Sequence, residues 1–314
     1  MNNRKRYEWR LRSRNLLLGE RTLIMAVLNV TPDSFSDGGK FSDPDRAFAR
    51  AVQLEEEGAD IIDVGAESTR PSSQRVSEAE ELRRLIPVLK RLKDQLSIPL
   101  SVDTYKAAVA EKAIEHGVEI INDPSGLTFD PQLARMAANH DAGLVLNHMR
   151  GTPESWAKMP PINNLIVTIA DDLDATVHRA VGSGVSRGRI VIDPGLGFGK
   201  RKEQNAEILA RLPYLSKLDL PVLIGPSRKS FLSQNVDLDA DFATAAAVTA
   251  GILAGAHIVR VHNVKDLKLA VQIADQILAS IPEPEEPPAP RPPPIKRRFE
   301  GSGHGSRPIR PLTR

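Results

Sequence analysis

The chain has 314 residues, 41% hydrophobic and 26% charged, with a net charge of +2 and no cysteine. Its length and apolar content suffice for one large domain or two average ones, and the absence of thiols excludes disulfides, a cysteine nucleophile and cysteine-ligated metal. The basic excess sits at the two ends, residues 1–14 and 282–314, so the body between them is net acidic and lacks the clustered basic face that nucleic-acid binding requires.

The first 21 residues read as a basic lead-in, with Trp9 to Gly19 forming a short hairpin or cap. Glu20 and Arg21 interrupt the apolar run that a secretory signal would need, and with no cysteine the chain fits a reducing, cytoplasmic setting. Leu23 to Leu28 is then a buried strand, spilling into TPDSFSDGG. Asp43 and Pro44 supply an N-cap and first helical position, and Gly58 ends the helix. Ile61, Ile62 and Val64 make a second strand. Ser77 and Glu80 read as a capping box opening a helix with Leu82, Leu85, Ile86, Leu89, Leu92 and Leu96 along one face.

The same alternation continues. Strands are expected at Pro99 to Val102, Glu119 to Ile121, Gly143 to Leu146, Ile190 to Ile192, Val222 to Ile224 and Ile258 to Val261. Helices fall at Lys106 to His116, Pro131 to His140, Leu165 to Val181, Glu203 to Leu212 and Phe242 to Leu253, and a last one carries Leu267, Ala270, Val271, Ala274, Ile277 and Leu278 on one face. Phe242 to Val259 is strongly apolar, but its glycines, threonines and His257 mark a helix followed by a strand, not a membrane span. Eight βα units within residues 22–281 predict an α/β fold, a closed (β/α)8 TIM barrel. An open doubly wound sheet is the runner-up, disfavoured because no GxGxxG follows the first strand. From Pro282 the chain becomes proline-rich, PEPEEPPAPRPPP and then a basic end. Such a segment is expected to be disordered with polyproline II character; PAPRPPP could serve an SH3-like groove, though a solvated tail is the preferred reading.

In a parallel barrel all strand C-termini open on one face, so distant residues converge there. Those ends carry Asn29, Glu67 to Arg70, Asp103, Asn122 with Asp123, Asn147 with His148, Asp193, Lys229, Arg260 and His262. Asp103, Asn122, Asp193 and Lys229 form an array of acceptors and donors suited to the edge of a flat nitrogen heterocycle, although Asp193 before Pro194 also reads as a turn start. Arg260 and His262 share one side of the last strand beside Asn29, a natural pyrophosphate clamp, with Asn29 as a candidate Mg2+ ligand. GPSRKSF, Gly225 to Phe231, ends its strand in a tight turn whose exposed N–H groups suit a carboxylate.

LNVTPDSFSDGG, DVGAESTRP, SVDTYK, IND, NHMRGTP, DPGLGFGK, GPSRKS and RVHNV, in this order, resemble the dihydropteroate synthase family from about Leu23 to Ile281. The resemblance implies joining 6-hydroxymethyl-7,8-dihydropterin pyrophosphate to 4-aminobenzoate, giving 7,8-dihydropteroate and pyrophosphate. It implies that Asp103, Asn122, Asp193 and Lys229 hold the pterin, and that Asn29, Thr69, Arg260 and His262 hold the pyrophosphate with Mg2+ at Asn29. Lys229, Arg260 and His262 would carry the catalytic roles. The aminobenzoate would meet Phe35, Ser68, Thr69, Arg70 and Pro71 on two mobile loops, together with Ser227, Arg228 and Ser230. A homodimer is implied as well. The chain departs from the family pattern at Ala66, Pro124, Asn147 and Asn263. The other readings are a non-catalytic pterin-binding paralogue and a methyltetrahydrofolate-dependent methyltransferase; the latter needs neither the SFSDGG loop nor the Arg260/His262 pair.

Overall fold

Runs rich in Ile, Val and Leu build a parallel sheet whose two faces are both covered, as such runs require. The computed structural model describes residues 4–31, 44–67, 75–232 and 240–281. An antiparallel hairpin, β1 (Tyr7–Arg10) and β2 (Asn15–Leu18), comes first. Eight parallel strands follow: β3 (Leu23–Asn29), β4 (Ile61–Gly65), β5 (Leu100–Asp103), β6 (Val118–Asp123), β7 (Gly143–Asn147), β8 (Ile190–Asp193), β9 (Leu223–Ile224) and β10 (Ile258–Val261). Their order is β8-β7-β6-β5-β4-β3-β10-β9. A bridge between Ile192 and Val222 joins the outer pair, so the sheet closes into a TIM barrel.

The helices alternate with the strands: α1 (Pro44–Glu57), α2 (Glu78–Leu92), α3 (Ala107–Glu115), α4 (Gln132–Asn139), α5 (Leu165–Gly182), α6 (Lys202–Ala210), α7 (Ala240–Leu253) and α8 (Val264–Ala279). Most expected boundaries fall within two residues of these. The helix expected to run to Leu212 ends at Ala210, and Leu212–Leu218 tightens into a 3-10 segment with Pro213 in its first turn. Ser77 caps α2 by accepting from the Glu80 N–H at 3.3 Å, but the Glu80 carboxylate goes to Arg83 and Arg84, so only half of the expected capping box forms. Asp43, the SFSDGG loop and residues 282–314 lie outside the described residues.

Period two sorts the strand residues between two cores. Ile24, Ala26 and Leu28 of β3, with their counterparts on the other strands, face outward and pack under the helices. Met25, Ile61, Ile120, Val145, Val191, Leu223 and Ile258 face the lumen near its lower end, where Trp9, Leu11 and Leu18 of the hairpin region plug it. Trp9 is 1% exposed, and its indole N–H donates to the Arg189 carbonyl at 2.8 Å. Gly143 makes room for this plug, because a Cβ there would stand 2.5 Å from Leu11 and 3.2 Å from Trp9. With the lower lumen apolar and filled, the polar side chains occupy the upper half.

Candidate active site

At the strand C-termini the inward positions become polar. Asp103 of β5, Asn122 of β6, Asp193 of β8 and Arg260 of β10 meet there with Asp63 of β4. Arg260 donates from Nε to Asp63 Oδ2 at 2.7 Å and from a terminal nitrogen to Asp103 Oδ2 at 2.7 Å. Asn122 Nδ2 donates to the same Asp63 oxygen at 3.0 Å. Asp63 is 0% exposed, and its Oδ1 has no hydrogen-bond partner among the described residues.

Burial pushes the Asp103 carboxyl up to about 7, against the pull of Arg260 and with the repulsion of Asp63. It likewise pushes Asp193 up to about 6, although the Gly195 N–H at 2.7 Å and the charge of Lys229 favour its anion. Lys229, in the turn after β9, is drawn down to about 8 by burial and by Arg260; its ammonium lies 4.0 Å from the centroid of the Phe198 ring. Burial opposes the Arg260 cation too, but Asp63 and Asp103 outweigh it and hold its pKa above the ordinary arginine value. The mouth therefore joins acceptors, donors and one flat aromatic face in a poorly solvated recess.

Behind Asp193, Lys200 donates to the carbonyls of His148 at 2.6 Å and Gly195 at 2.7 Å, tying the end of β7 to the loop after β8. Burial keeps its pKa well below the ordinary lysine value. Gly195 has φ +70°, and a Cβ there would stand 2.0 Å from the His148 carbonyl oxygen, so no other residue fits. His148 turns Nε2 to Asp172 at 3.1 Å, and burial lowers its pKa to about 4.

Asn29 ends β3 beside Gly65, where a Cβ would lie 3.8 Å from Asn29 Oδ1 and 3.4 Å from Asp103 Cβ. The bare glycine leaves those two side chains flanking one gap. His262 follows β10, with Nδ1 3.0 Å from Ser227 Oγ, which also accepts from the His262 N–H at 3.3 Å. Arg228 adopts φ +56° and lays its guanidinium against Asp241 at 3.4 Å. Ser230 opens a three-residue 3-10 turn, Ser230–Leu232, and is exposed.

Not every strand-end residue joins this group. Glu67 accepts from the Tyr105 hydroxyl at 3.0 Å and from Lys106 at 2.5 Å, outside the heterocycle array. Asp123 serves its own turn, accepting from the N–H groups of Ser125 and Leu127. Phe35, Ser68, Thr69, Arg70 and Pro71 lie outside the described residues. Of the departures from the family pattern, Asn147 and Pro124 are linked, Nδ2 donating to the Pro124 carbonyl at 2.7 Å. Asn263 caps α8 by accepting from the Asp266 N–H at 3.3 Å, and the Ala66 carbonyl accepts from Arg84 at 2.9 Å.

Sequence reasoning passed over Asp63 and Lys200. The signal for Asp63 was present: one carboxylate inside the apolar run IIDVG must be paired or functional. Lys200 ends the motif DPGLGFGK but follows a glycine turn, where a lysine is ordinarily solvated. Among the described residues no group of three His, Cys, Asp or Glu side chains could hold a metal. A single amide oxygen such as that of Asn29 suits Mg2+, which keeps most of its waters and takes one or two protein oxygens plus phosphate.

The profile of the pterin binding enzyme family matches residues 25–262. A dihydropteroate synthase of Bacillus subtilis is 44% identical over 262 residues, 82% of this chain and 90% of the relative. Among solved structures, dihydropteroate synthase from Clostridium difficile in the presence of pteroic acid shares 43% identity with a TM-score of 0.77, covering 83% of this chain and 98% of that one. The Xanthomonas albilineans dihydropteroate synthase with 4-aminobenzoic acid shares 36% identity with a TM-score of 0.80, covering 88% and 100%.

Proposed function

The chain belongs to the pterin binding enzyme family and acts as a dihydropteroate synthase in folate synthesis, and from this premise we propose how its residues divide the work. Asp193 and Asn122 pair with the hydrogen-bonding edge of the dihydropterin, while Lys229 and Asp103 meet its other polar atoms. The observation that carries this is the convergence of these four side chains with Arg260 at one end of the lumen. Arg260 and His262 take the pyrophosphate, with Thr69 and Asn29 beside it. The aminobenzoate carboxylate meets the turn at Ser227, Arg228 and Ser230, and its ring is covered by Phe35 and the segment Ser68, Thr69, Arg70 and Pro71.

Mg2+, held at Asn29, would supply charge neutralisation on the pyrophosphate. The residues of this chain do the rest. The C–O bond to pyrophosphate breaks and its electron pair leaves with the phosphate oxygen, stabilised by Arg260 and His262. The positive character left on the methylene is delocalised into the pterin. The aminobenzoate nitrogen, neutral at pH 7, uses its lone pair to form the C–N bond and then loses a proton to the released pyrophosphate. No covalent enzyme intermediate is needed, and the recess built by Phe198 and Lys229 keeps water from the reactive carbon.

A cytoplasmic homodimer is the form we assign. The absence of cysteine supports the first part, and no described helix is long and apolar enough to cross a membrane. Supporting the second, α8 exposes Leu269, Ile273 and Ile277 at four-residue spacing, 64%, 46% and 46% accessible. The barrel, residues 22–281, is assigned as the catalytic unit, with residues 1–21 as its lower plug and 282–314 as a separate appendage.

Purified protein given dihydropterin pyrophosphate, 4-aminobenzoate and Mg2+ should release pyrophosphate and incorporate labelled aminobenzoate in a one-to-one ratio. Pterin binding with no dihydropteroate formed would identify a non-catalytic paralogue instead.

A further inference from the structure

Asp63 sits at the junction of the two halves of the site, and nothing in the division of work above uses it. Its Oδ2 accepts from Asn122 on the heterocycle side at 3.0 Å and from Arg260 on the pyrophosphate side at 2.7 Å. A fully buried carboxylate of this kind is expensive unless its partners stay in place. We infer that Asp63 is a positioning residue that fixes which end of the Asn122 amide faces the pterin and which edge of the Arg260 guanidinium faces the pyrophosphate. This inference rests on the substrate assignment above.

The chemistry is one of donor and acceptor polarity. An amide is nearly symmetric in shape, so packing alone does not choose between its oxygen and its nitrogen. A carboxylate only accepts, so Asn122 must direct Nδ2 toward Asp63, which leaves its Oδ1 and one N–H for the substrate edge. An asparagine at position 63 could donate as well as accept, and the amide opposite would lose its imposed direction. A site built on hydrogen-bond complementarity is sensitive to such reversal, because buried groups of like polarity then face each other.

Arg260 is governed in the same way. With Nε held by Asp63 and one terminal nitrogen held by Asp103, the planar fork is locked by two carboxylates on adjacent inward positions. Its second terminal nitrogen is left for an incoming anion. Truncating Asp63 would free the guanidinium to follow Asp103 alone. One substitution should therefore disturb two ligands that do not touch each other's subsites.

The test compares wild type, Asp63→Asn, Asn122→Ala and the double variant by titration calorimetry, using 6-hydroxymethylpterin without its pyrophosphate, and inorganic pyrophosphate with Mg2+. Folding of each variant is checked by circular dichroism. Asp63→Asn should weaken both ligands at least tenfold, while Asn122→Ala weakens the pterin alone. The double variant should bind pterin no more weakly than Asn122→Ala, because Asp63 acts on the pterin through that amide. Folded Asp63→Asn with both affinities within twofold of wild type, or fully additive pterin losses in the double variant, would overturn the role. Should Asp63→Asn not fold, the Asn122 side-chain NH2 signals of the wild-type chain, assigned by their loss in Asn122→Asp, give the same answer. One proton protected from exchange before ligand is added supports the inference, and two freely exchanging protons overturn it. Wild-type protein that binds neither probe would instead remove the substrate assignment on which the inference stands.

Discussion

At the scale of single residues, the mouth of the barrel trades stability for recognition. Asp193 has a pKa of about 6 in the folded chain because burial disfavours its anion, against about 4 for an unfolded aspartate. The folded state therefore holds the proton more tightly. Its favourable contribution is complete below the unfolded value and is lost as pH rises through about 6, so at pH 8 the ionised carboxylate costs up to about 3 kcal/mol. Asp193→Asn, which keeps an acceptor for the Gly195 N–H, should unfold at higher urea at pH 8 and at the wild-type concentration near pH 4, while losing at least tenfold in pterin affinity. Equal stability differences at both pH values would mean that the buried charge is not the cause. Strand-end position made Asp103, Asn122, Asp193 and Arg260 legible in the sequence. Asp63 was marked only as a lone carboxylate in an apolar run; its mid-strand position gave no sign that it reaches the strand-end group.

At the scale of elements, alternation of strand and helix was legible because each apolar run has the length and punctuation of its type. What the sequence hid are the places where one element's end depends on another. Glu80 reads as the second half of a capping box, yet its carboxylate is claimed by Arg83 and Arg84 one turn on. Helix α8 reads as a one-faced helix, with Val264, Leu267, Val271, Ala274 and Leu278 buried. Ile277, expected on the buried face, is instead 46% exposed and joins Leu269 and Ile273 in a stripe that the sequence marks as apolar but not as uncovered. Ile273 is 46% exposed and otherwise covered by its own chain, so Ile273→Glu should lower the unfolding free energy in urea by about 1 kcal/mol or less. If the stripe joins two copies, the same change should convert a dimer to a monomer in sedimentation at micromolar concentration. A wild-type chain that sediments as a monomer would end the homodimer assignment.

At the scale of the whole molecule, the lumen is divided between a dry lower half that supplies stability and a charged upper half that supplies chemistry. Eight βα units made the barrel readable in advance, but the role of the lead-in was not, because a hairpin seals a lumen only once the strands above it are closed. Trp9→Ala should cost about 3–5 kcal/mol in denaturant unfolding, with pterin affinity in the folded protein unchanged, since the plug and the mouth lie at opposite ends. Coupled loss of affinity would show that the two halves are not independent. The N-terminal part of the chain also joins distant residues: Arg4, ahead of the hairpin, donates to Asp275, 271 residues away, and β3, after it, pairs with β10. A ribosome adding about 5–20 residues per second needs on the order of ten seconds to a minute to span that interval. Until β10 emerges β3 lacks the partner for that edge, so the time for which an apolar strand stays open to non-native pairing is set by the length of the chain and not by the stability of the finished enzyme.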